Sequence, residues 1–294
     1  MKIECRIKGG LGNQLFMYSA ARRLALKNNA LLILDVKSGF EKDFTYKRSY
    51  QLDKFAIKCE IKKEVHSFKM IYMIYRFFRK NANKIYSFNQ RSYIIQRGND
   101  YDPRLLKLKI NGDICLEGYW QSESYFKDVE SVIRSDLVIT PPTDLVNISL
   151  SKKINCHKSV AVHVRFFDDP RYYSNNNMSV EYYRKALKVI SNKVSDAHYF
   201  LFSDYPQMAF ELLKMSNSKC TVVSNNVGNE NAYADLWLMS LCKDFIIANS
   251  TFSWWAAWLS SNNSKCVVAP ANVICHGKMA WGFDGLFPNS WIQI

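Results

Sequence analysis

Apolar positions along this chain recur in two alternating rhythms. Short runs rich in valine, isoleucine and phenylalanine read as buried strands. Longer stretches with apolar residues three and four apart read as helices with one packed face. The alternation is clearest in the C-terminal half. Ser159–Phe166 is a valine-rich run with turn residues after it, and Ser179–Val194 carries Tyr182, Ala186, Val189 and Ile190 on one helical face. His198–Phe202 reads as the next strand and Pro206–Met215 as the next helix, with proline in the first turn, where its missing N–H costs nothing. Cys220–Ser224, Phe245–Ala248 and Cys266–Ala269 continue the strands, and Tyr233–Cys242 and Thr251–Leu259 the helices. Strands that alternate with helices predict β-α units and a doubly wound parallel sheet.

The N-terminal half opens the same way. Lys2–Lys8 is a strand, Gly9-Gly10-Leu11-Gly12 a turn, and a helix follows with Met17, Ala20, Ala21 and Leu24 on one stripe. Leu31–Val36 is the next strand, after which the pattern loses regularity. Thr140-Pro141-Pro142-Thr143 reads as a linker, because proline ends regular elements. A chain of 294 residues suits two domains. The expectation is two Rossmann-like domains facing a cleft, residues 1–145 and 146–294. Open α/β sheets bind ligands beyond the carboxyl ends of their strands, so motifs are sought there.

Composition narrows the options. At 48% hydrophobic residues the chain has material for real cores and is not a disordered protein. A formal charge of +14 favours an anionic partner: nucleic acid, a membrane surface or a phosphate-bearing small molecule. The eight cysteines are scattered without a C-x-x-C pair, which fits a reduced, cytoplasmic protein better than a disulfide framework. No secretory signal is expected from an N-terminus that reads as a strand running into a glycine turn. The longest apolar stretch, Phe245–Leu259, is interrupted by Asn249, Ser250, Thr251 and Ser253, so no spanning helix is expected. The stretch Lys58–Lys84 is basic and aromatic, with Phe68, Ile71, Tyr72, Tyr75 and Phe78 near helical spacing. It fits an amphipathic helix lying on a membrane, or a helix packed on its own domain, which is the commoner outcome.

Five segments carry candidate chemistry. Gly9-Gly10-Leu11-Gly12-Asn13-Gln14 follows a strand and opens a helix, where glycine lets a ligand approach the backbone and a helix N-terminus favours anions. It is not G-x-G-x-x-G, and a tight structural turn explains it as well. His163-Val164-Arg165-Phe166-Phe167-Asp168-Asp169 ends a buried strand. Arginine there can fork onto a diphosphate, and an Arg165–Asp168 ion pair closing the loop is the other reading. Leu201-Phe202-Ser203-Asp204 ends another strand, with Asp204 able to hold ribose hydroxyls or to cap a helix. Asn249-Ser250-Thr251-Phe252 runs from a strand into a helix whose free N–H groups suit phosphate. Trp254 and Trp255 beyond it are expected in the core. Glu117–Phe126 mixes aromatics with amides, as carbohydrate sites do, though core packing with a Ser122 cap accounts for it too. Asp100-Tyr101-Asp102 matches the D-x-D pattern of metal-dependent sugar transferases but reads as a surface turn before Pro103.

Together these segments resemble glycosyltransferase family 11, the bacterial and animal α-1,2-fucosyltransferases. The likeness is carried by Gly9–Gln14, Gly118-Tyr119-Trp120-Gln121-Ser122-Glu123, the strand ending at His163 and Arg165, Phe202-Ser203-Asp204, Asp235-Leu236-Trp237-Leu238-Met239-Ser240 and Asn249–Trp258. They run in family order to about residue 260, and the last is the most specific. The resemblance implies a GT-B fold and inverting, metal-independent transfer of L-fucose from GDP-β-L-fucose, with no further cofactor. The implied acceptor is the 2-hydroxyl of a terminal galactose in a glycan such as O-antigen, lipid-linked acceptors included. It also implies roles. Arg165 and the helix start at Ser250–Thr251 would stabilise the β-phosphate, with His163, Ser203 and Asn249 lining the donor site. Phe252 would pack on guanine, Asp204 hold the nucleoside, and Gly12 with Asn13 form the opposite wall. Asp168, or Asp169, would be the general base. The family's His-x-Arg-Arg-x-Asp pattern is broken at its second arginine, where this chain has Phe166; Arg171 is a candidate substitute charge. A fucosyltransferase of another linkage remains open. A basic nucleic-acid-binding protein lacks a recognised motif here, and a nicotinamide dehydrogenase lacks its glycine fingerprint.

Overall fold

The structure is a computed structural model. It describes residues 1–294 apart from 42, 45, 63–68, 84, 168, 170, 172, 173, 175, 276 and 277. The chain divides into two compact units. One is Met1–Val138 with Asp284–Leu286; the other is Ile139–Phe283 with Phe287–Ile294. The Thr140–Thr143 segment therefore lies at the start of the second unit, slightly past the division.

In the first unit the elements are β1 (Lys2–Arg6), α1 (Leu11–Lys27), β2 (Leu31–Asp35), β3 (Glu60–Ile61), α2 (Lys69–Ala82), β4 (Tyr93–Ile95), β5 (Ile114–Glu117) and α3 (Glu130–Asp136). The strands form one sheet in the order β3-β2-β1-β5-β4, every pair parallel. Period-2 alternation on β1 buries Ile3 and Cys5, with Ile7 just beyond. α1 buries Leu15, Phe16, Met17 and Tyr18 in succession, more than one face, because other parts of the unit cover it too. Tyr18 Oη donates to Asp136, which also pairs with Arg22 at 2.8 Å. Buried Arg23 forks onto both carboxylate oxygens of Asp128 and donates to Leu106 O, tying helix to loop.

The second unit contains α4 (Leu145–Cys156), β6 (Ser159–Val164), α5 (Val180–Lys193), β7 (His198–Ser203), α6 (Pro206–Leu213), β8 (Cys220–Val223), α7 (Ala232–Leu241), β9 (Asp244–Ile246), α8 (Thr251–Leu259), β10 (Val267–Ala269), β11 (Val273–Cys275), β12 (Lys278–Trp281) and β13 (Ile292–Gln293). Six strands make a parallel sheet in the order β13-β10-β9-β6-β7-β8, and β11-β12 is a separate antiparallel hairpin. Every residue of β6 is buried, as expected of a central strand covered on both faces. Val160, Val162 and Val164 pack with Tyr183, Ala186 and Ile190 of α5. Trp254 and Trp255 are fully buried and stack edge-on at 5.1 Å.

Both sheets have a point where the chain reverses its direction of travel across the sheet. In the second unit the chain runs β6-β7-β8 outward, then returns to place β9 on the other side of β6. In the first unit it runs β1-β2-β3 outward, and β5 is then laid on the other side of β1. Loops leaving the carboxyl ends of the two central strands diverge there and leave a crevice. No helix among the described residues is long and apolar enough to cross a membrane.

Candidate functional site

The second unit gathers three of the predicted segments at the carboxyl end of its sheet. β9, β6 and β7 are neighbours, so His163 and Arg165, Ser203 and Asp204, and Asn249 to Phe252 all follow the carboxyl ends of adjacent strands. His163 is 5% exposed and its Nδ1 has no partner. Burial, reinforced by the Arg165 charge, pulls its pKa down to about 3, so the imidazole is neutral. Its ring lies 5.6 Å from that of Phe252, which joins the end of β6 to the first turn of α8. Asn249 is also buried; its Nδ2 donates to Asn176 O, while its Oδ1 is unpartnered. A buried polar atom without a partner costs about 1–3 kcal/mol. Two such atoms on adjacent strand ends mark a place shaped for something polar.

α8 begins as the sequence implied. Ser250 is its N-cap, with its Oγ accepting from Phe252 N–H at 3.3 Å. Ser250 N–H itself donates back to Ala248 O in the tight turn off β9. The first turn has no acidic residue, so the positive end of the helix is not neutralised locally.

Arg165 is held by a residue the sequence had assigned to the ligand. Its Nη1 lies 2.8 Å from Asp204 Oδ2, both side chains about a quarter exposed. Asp204 Oδ1 accepts from Phe166 N–H at 3.1 Å. Burial raises the Asp204 pKa, against the opposing pull of Arg165. Asp204 is thus the partner of Arg165 and of the backbone after it, and it does not cap α6, whose N-cap is Tyr205. Ser203 Oγ accepts from Tyr205 N–H. The side chain of Phe166, where the family has arginine, is buried and meets Tyr205 edge-on at 5.9 Å. The candidate replacement charge, Arg171, is committed to Asp169 through both carboxylate oxygens. That pairing holds Asp169 down at about 2, which makes it a weak base. Asp168 lies outside the described residues.

In the first unit two more segments meet at the reversal point. Asn13 Oδ1 accepts from Gln121 Nε2 at 2.7 Å, joining the loop after β1 to the loop after β5. Gly9 has φ +74°, and a β-carbon there would sit 3.0 Å from Asn13 Nδ2. One at Gly10 would lie 2.8 Å from Arg48 Nη1. The turn is anchored by buried Gln14, which donates to Gly9 O and Ser49 O and accepts from Gln51 N–H. Gly12 is buried in the first turn of α1. α1 has no side-chain cap, its N-cap being Gly10. Lys8 lies over the Tyr119 ring at 4.8 Å, and burial lowers its pKa. Trp120 is fully buried with φ +54°, a strained conformation for an aromatic residue. Gln96 Oε1 holds it there by accepting from the N–H groups of Tyr119 and Trp120. Sequence reasoning did not pick out Gln96, Lys8 or Arg48: no local motif marks them, and only the sheet order brings them to this turn. Asp100 and Asp102 are occupied locally, accepting from Asp284 N–H and from Arg104.

The family model for glycosyl transferase family 11 matches residues 2–294. The chain belongs to glycosyltransferase family 11. This family 11 chain is 30% identical to an α-1,2-colitosyltransferase of Escherichia coli over 99% of its own length and 98% of the relative's. It is 29% identical to the O-antigen biosynthesis glycosyltransferase WbnK of Escherichia coli, over 98% and 99%. Among solved structures it resembles the fucosyltransferase NodZ of Bradyrhizobium, with TM-score 0.50 at 14% identity, covering 88% of this chain and 92% of that one. NodZ has also been solved soaked with GDP-fucose. The chain is therefore a glycosyltransferase, and its α/β architecture of two parallel sheets is that of the GT-B fucosyltransferases.

Proposed function

We propose that this chain transfers L-fucose from GDP-β-L-fucose to the 2-hydroxyl of a terminal galactose during O-antigen or related surface-glycan synthesis, in the cytoplasm. The observation that carries the donor reading is the reversal point of the second sheet. There an arginine, two unpartnered buried polar atoms and a positive helix end with no acidic residue in its first turn converge at the carboxyl ends of neighbouring strands. That combination suits a sugar nucleotide diphosphate. The two relatives support a sugar transferred in α-1,2 linkage and an O-antigen context.

In this reading Arg165 faces the diphosphate and gains strength as charge develops on the departing β-phosphate. Asp204 fixes the guanidinium against the strand end, so no reorganisation is needed as the bond breaks. His163, kept neutral by burial, adds a hydrogen bond without competing for the phosphate as a second charge. The first turn of α8 directs backbone N–H groups to the same oxygens, and Phe252 offers its ring to guanine. The sugar C1–O bond breaks, its electron pair leaving with GDP, as the acceptor oxygen attacks from the opposite face, inverts the anomeric centre and gives up its hydroxyl proton to solvent water. The first unit, with Asn13, Gln121 and Tyr119 at its glycine turn, is the acceptor-binding half.

The 30% relative, a colitosyltransferase, favours one specific alternative sugar, colitose. The test is transfer from GDP-fucose, GDP-colitose and GDP-mannose to a panel of β-galactosides, with the product linkage read by NMR. Fucose on the galactose 2-hydroxyl supports the proposal. Transfer from GDP-colitose alone, or to another hydroxyl, overturns it.

A further inference from the structure

Among the described side chains of α2, Arg76, Arg79 and Lys80 turn to its own domain. Arg76 donates to Glu117 and to Tyr93 Oη, each at 2.6 Å, and Lys80 Nζ lies 3.1 Å from Glu117. Arg79 Nε donates to Ser92 Oγ. Against the upward pull of burial, the Tyr93 hydroxyl, Arg76 and Lys80 hold the Glu117 carboxyl down at about 2. Three of its apolar residues turn to solvent. Ile74, Phe77 and Phe78, spaced three and four apart on one helical stripe, are 50%, 63% and 64% exposed. The chain leaving the helix adds Ile85 and Tyr86, 84% and 52% exposed.

Burying a phenylalanine is favourable, so two adjacent exposed rings on a helix whose described basic residues turn inward need another explanation than folding. Charge beside the patch says what covers it. Arg104 and Arg91 both lie over the Phe88 ring, at 4.7 and 5.8 Å. Arg91 is depressed by partial burial and by repulsion from Arg97 and Arg104. Beyond the inward-turned cations of α2, residues 83–109 contain six lysines and arginines against two aspartates. A like-charged cluster next to exposed aromatic rings matches the headgroup region of an anionic bilayer, where rings sit at the interface and guanidinium groups meet phosphates.

We propose that this face of the first unit docks on an anionic phospholipid surface, with Phe77, Phe78, Ile85 and Tyr86 entering the headgroup layer and Arg91 and Arg97 facing lipid phosphates. The proposal is independent of which sugar is transferred. It gives the enzyme a way to work at a membrane, where lipid-linked glycans are held, without a spanning segment.

The test is flotation of the full chain with phosphatidylglycerol-containing vesicles and with neutral phosphatidylcholine vesicles, at low and high salt. Binding to the anionic vesicles at low salt is expected, weakened by salt. Each basic residue at such a surface contributes roughly fivefold in partitioning. Arg91→Gln with Arg97→Gln should therefore cost about twentyfold or more. Phe77→Ser with Phe78→Ser should reduce binding at least tenfold while transfer to a water-soluble acceptor and the melting temperature stay unchanged. Three results overturn the proposal: no binding to anionic vesicles, equal binding to neutral ones, or binding that neither double substitution reduces. A fourth is loss of self-association in the Phe77→Ser, Phe78→Ser protein without any vesicle binding in the parent, which gives the face to a second copy of the chain.

Discussion

Replacing Arg165 separates structural from catalytic roles, because both can be sized. In the folded chain its guanidinium sits 2.8 Å from Asp204 Oδ2. At an effective dielectric of about 20 that pair attracts by roughly 6 kcal/mol, most of which is offset by desolvation. Arg165→Ala leaves Asp204 with the Phe166 N–H as its remaining strong donor. The net stability loss is then about 1–3 kcal/mol, which lowers the melting temperature by a few degrees for each kcal/mol. The catalytic loss should be larger. A charge-assisted contact to a phosphate that is gaining charge is worth about 3–4 kcal/mol, or roughly a hundred- to a thousandfold in turnover. Arg165→Lys keeps the charge near Asp204 but cannot fork onto two oxygens, so turnover should fall further than stability. Asp204→Asn completes the set. It keeps an acceptor for Phe166 N–H and removes the charge that orients Arg165, with an expected loss of about tenfold. The assay is GDP release with saturating donor, alongside circular dichroism melts of each variant. A folded Arg165→Ala protein with near-normal turnover refutes the reasoning and reduces the Arg165–Asp204 pair to a loop closure.

Three further outcomes follow from named contacts. Asp235 accepts from Asn226 Nδ2, and burial pushes its pKa up to about 7. The folded state then holds a proton that the unfolded chain releases near pH 4, so this group's contribution to stability declines as pH rises from about 4 to about 7 and is level above that. Asp235→Asn should melt higher at pH 8 than the parent and lose that slope; an unchanged slope refutes the assignment. Gln96→Ala leaves the Tyr119 and Trp120 N–H groups without their acceptor and should cost about 2–4 kcal/mol, with acceptor KM raised while the stabilisation by GDP is kept. Activity should persist in excess EDTA, because Asp100 already accepts from Asp284 N–H and Asp102 from Arg104; loss of activity restored by manganese refutes this.

The sequence read well where burial imposes a strict period. β6, β7, β8 and β10 and helices α5 to α8 lie within a few residues of their expected limits, since a strand covered on both faces must be apolar throughout. The motifs after β6, β7 and β9 were legible as strand ends, and the sheet order then put them side by side. What escaped was set by long-range pairing. β4, β5 and β13 are too short for a period to show, and α4, Val-Asn-Ile-Ser-Leu-Ser-Lys-Lys, has only a weak apolar stripe. The Arg165–Asp204 pair was missed because Asp168 is nearer in sequence, whereas register sets Val164 opposite Ser203 and brings Asp204 alongside. The helix around Phe78 was legible as amphipathic, but the direction it faces depends on Glu117, far along the chain.

The three residues Asp284–Leu286 belong to the first unit although their flanks belong to the second. Asp284 O accepts from Tyr101 N–H and Asp284 N–H donates to Asp100 Oδ1, and Gly285, at φ +77°, is so close to Tyr101 that a β-carbon would stand 2.6 Å from its Cβ. The chain then returns to lay β13 against β10. The second unit is therefore discontinuous, and a single crossover near residue 138 does not yield two self-sufficient modules. A chimera made by joining the first unit of one family member to the second of another inherits a mismatched tripeptide at Tyr101. Recombining the two units between family members needs three junctions, with residues 284–286 travelling with the first unit.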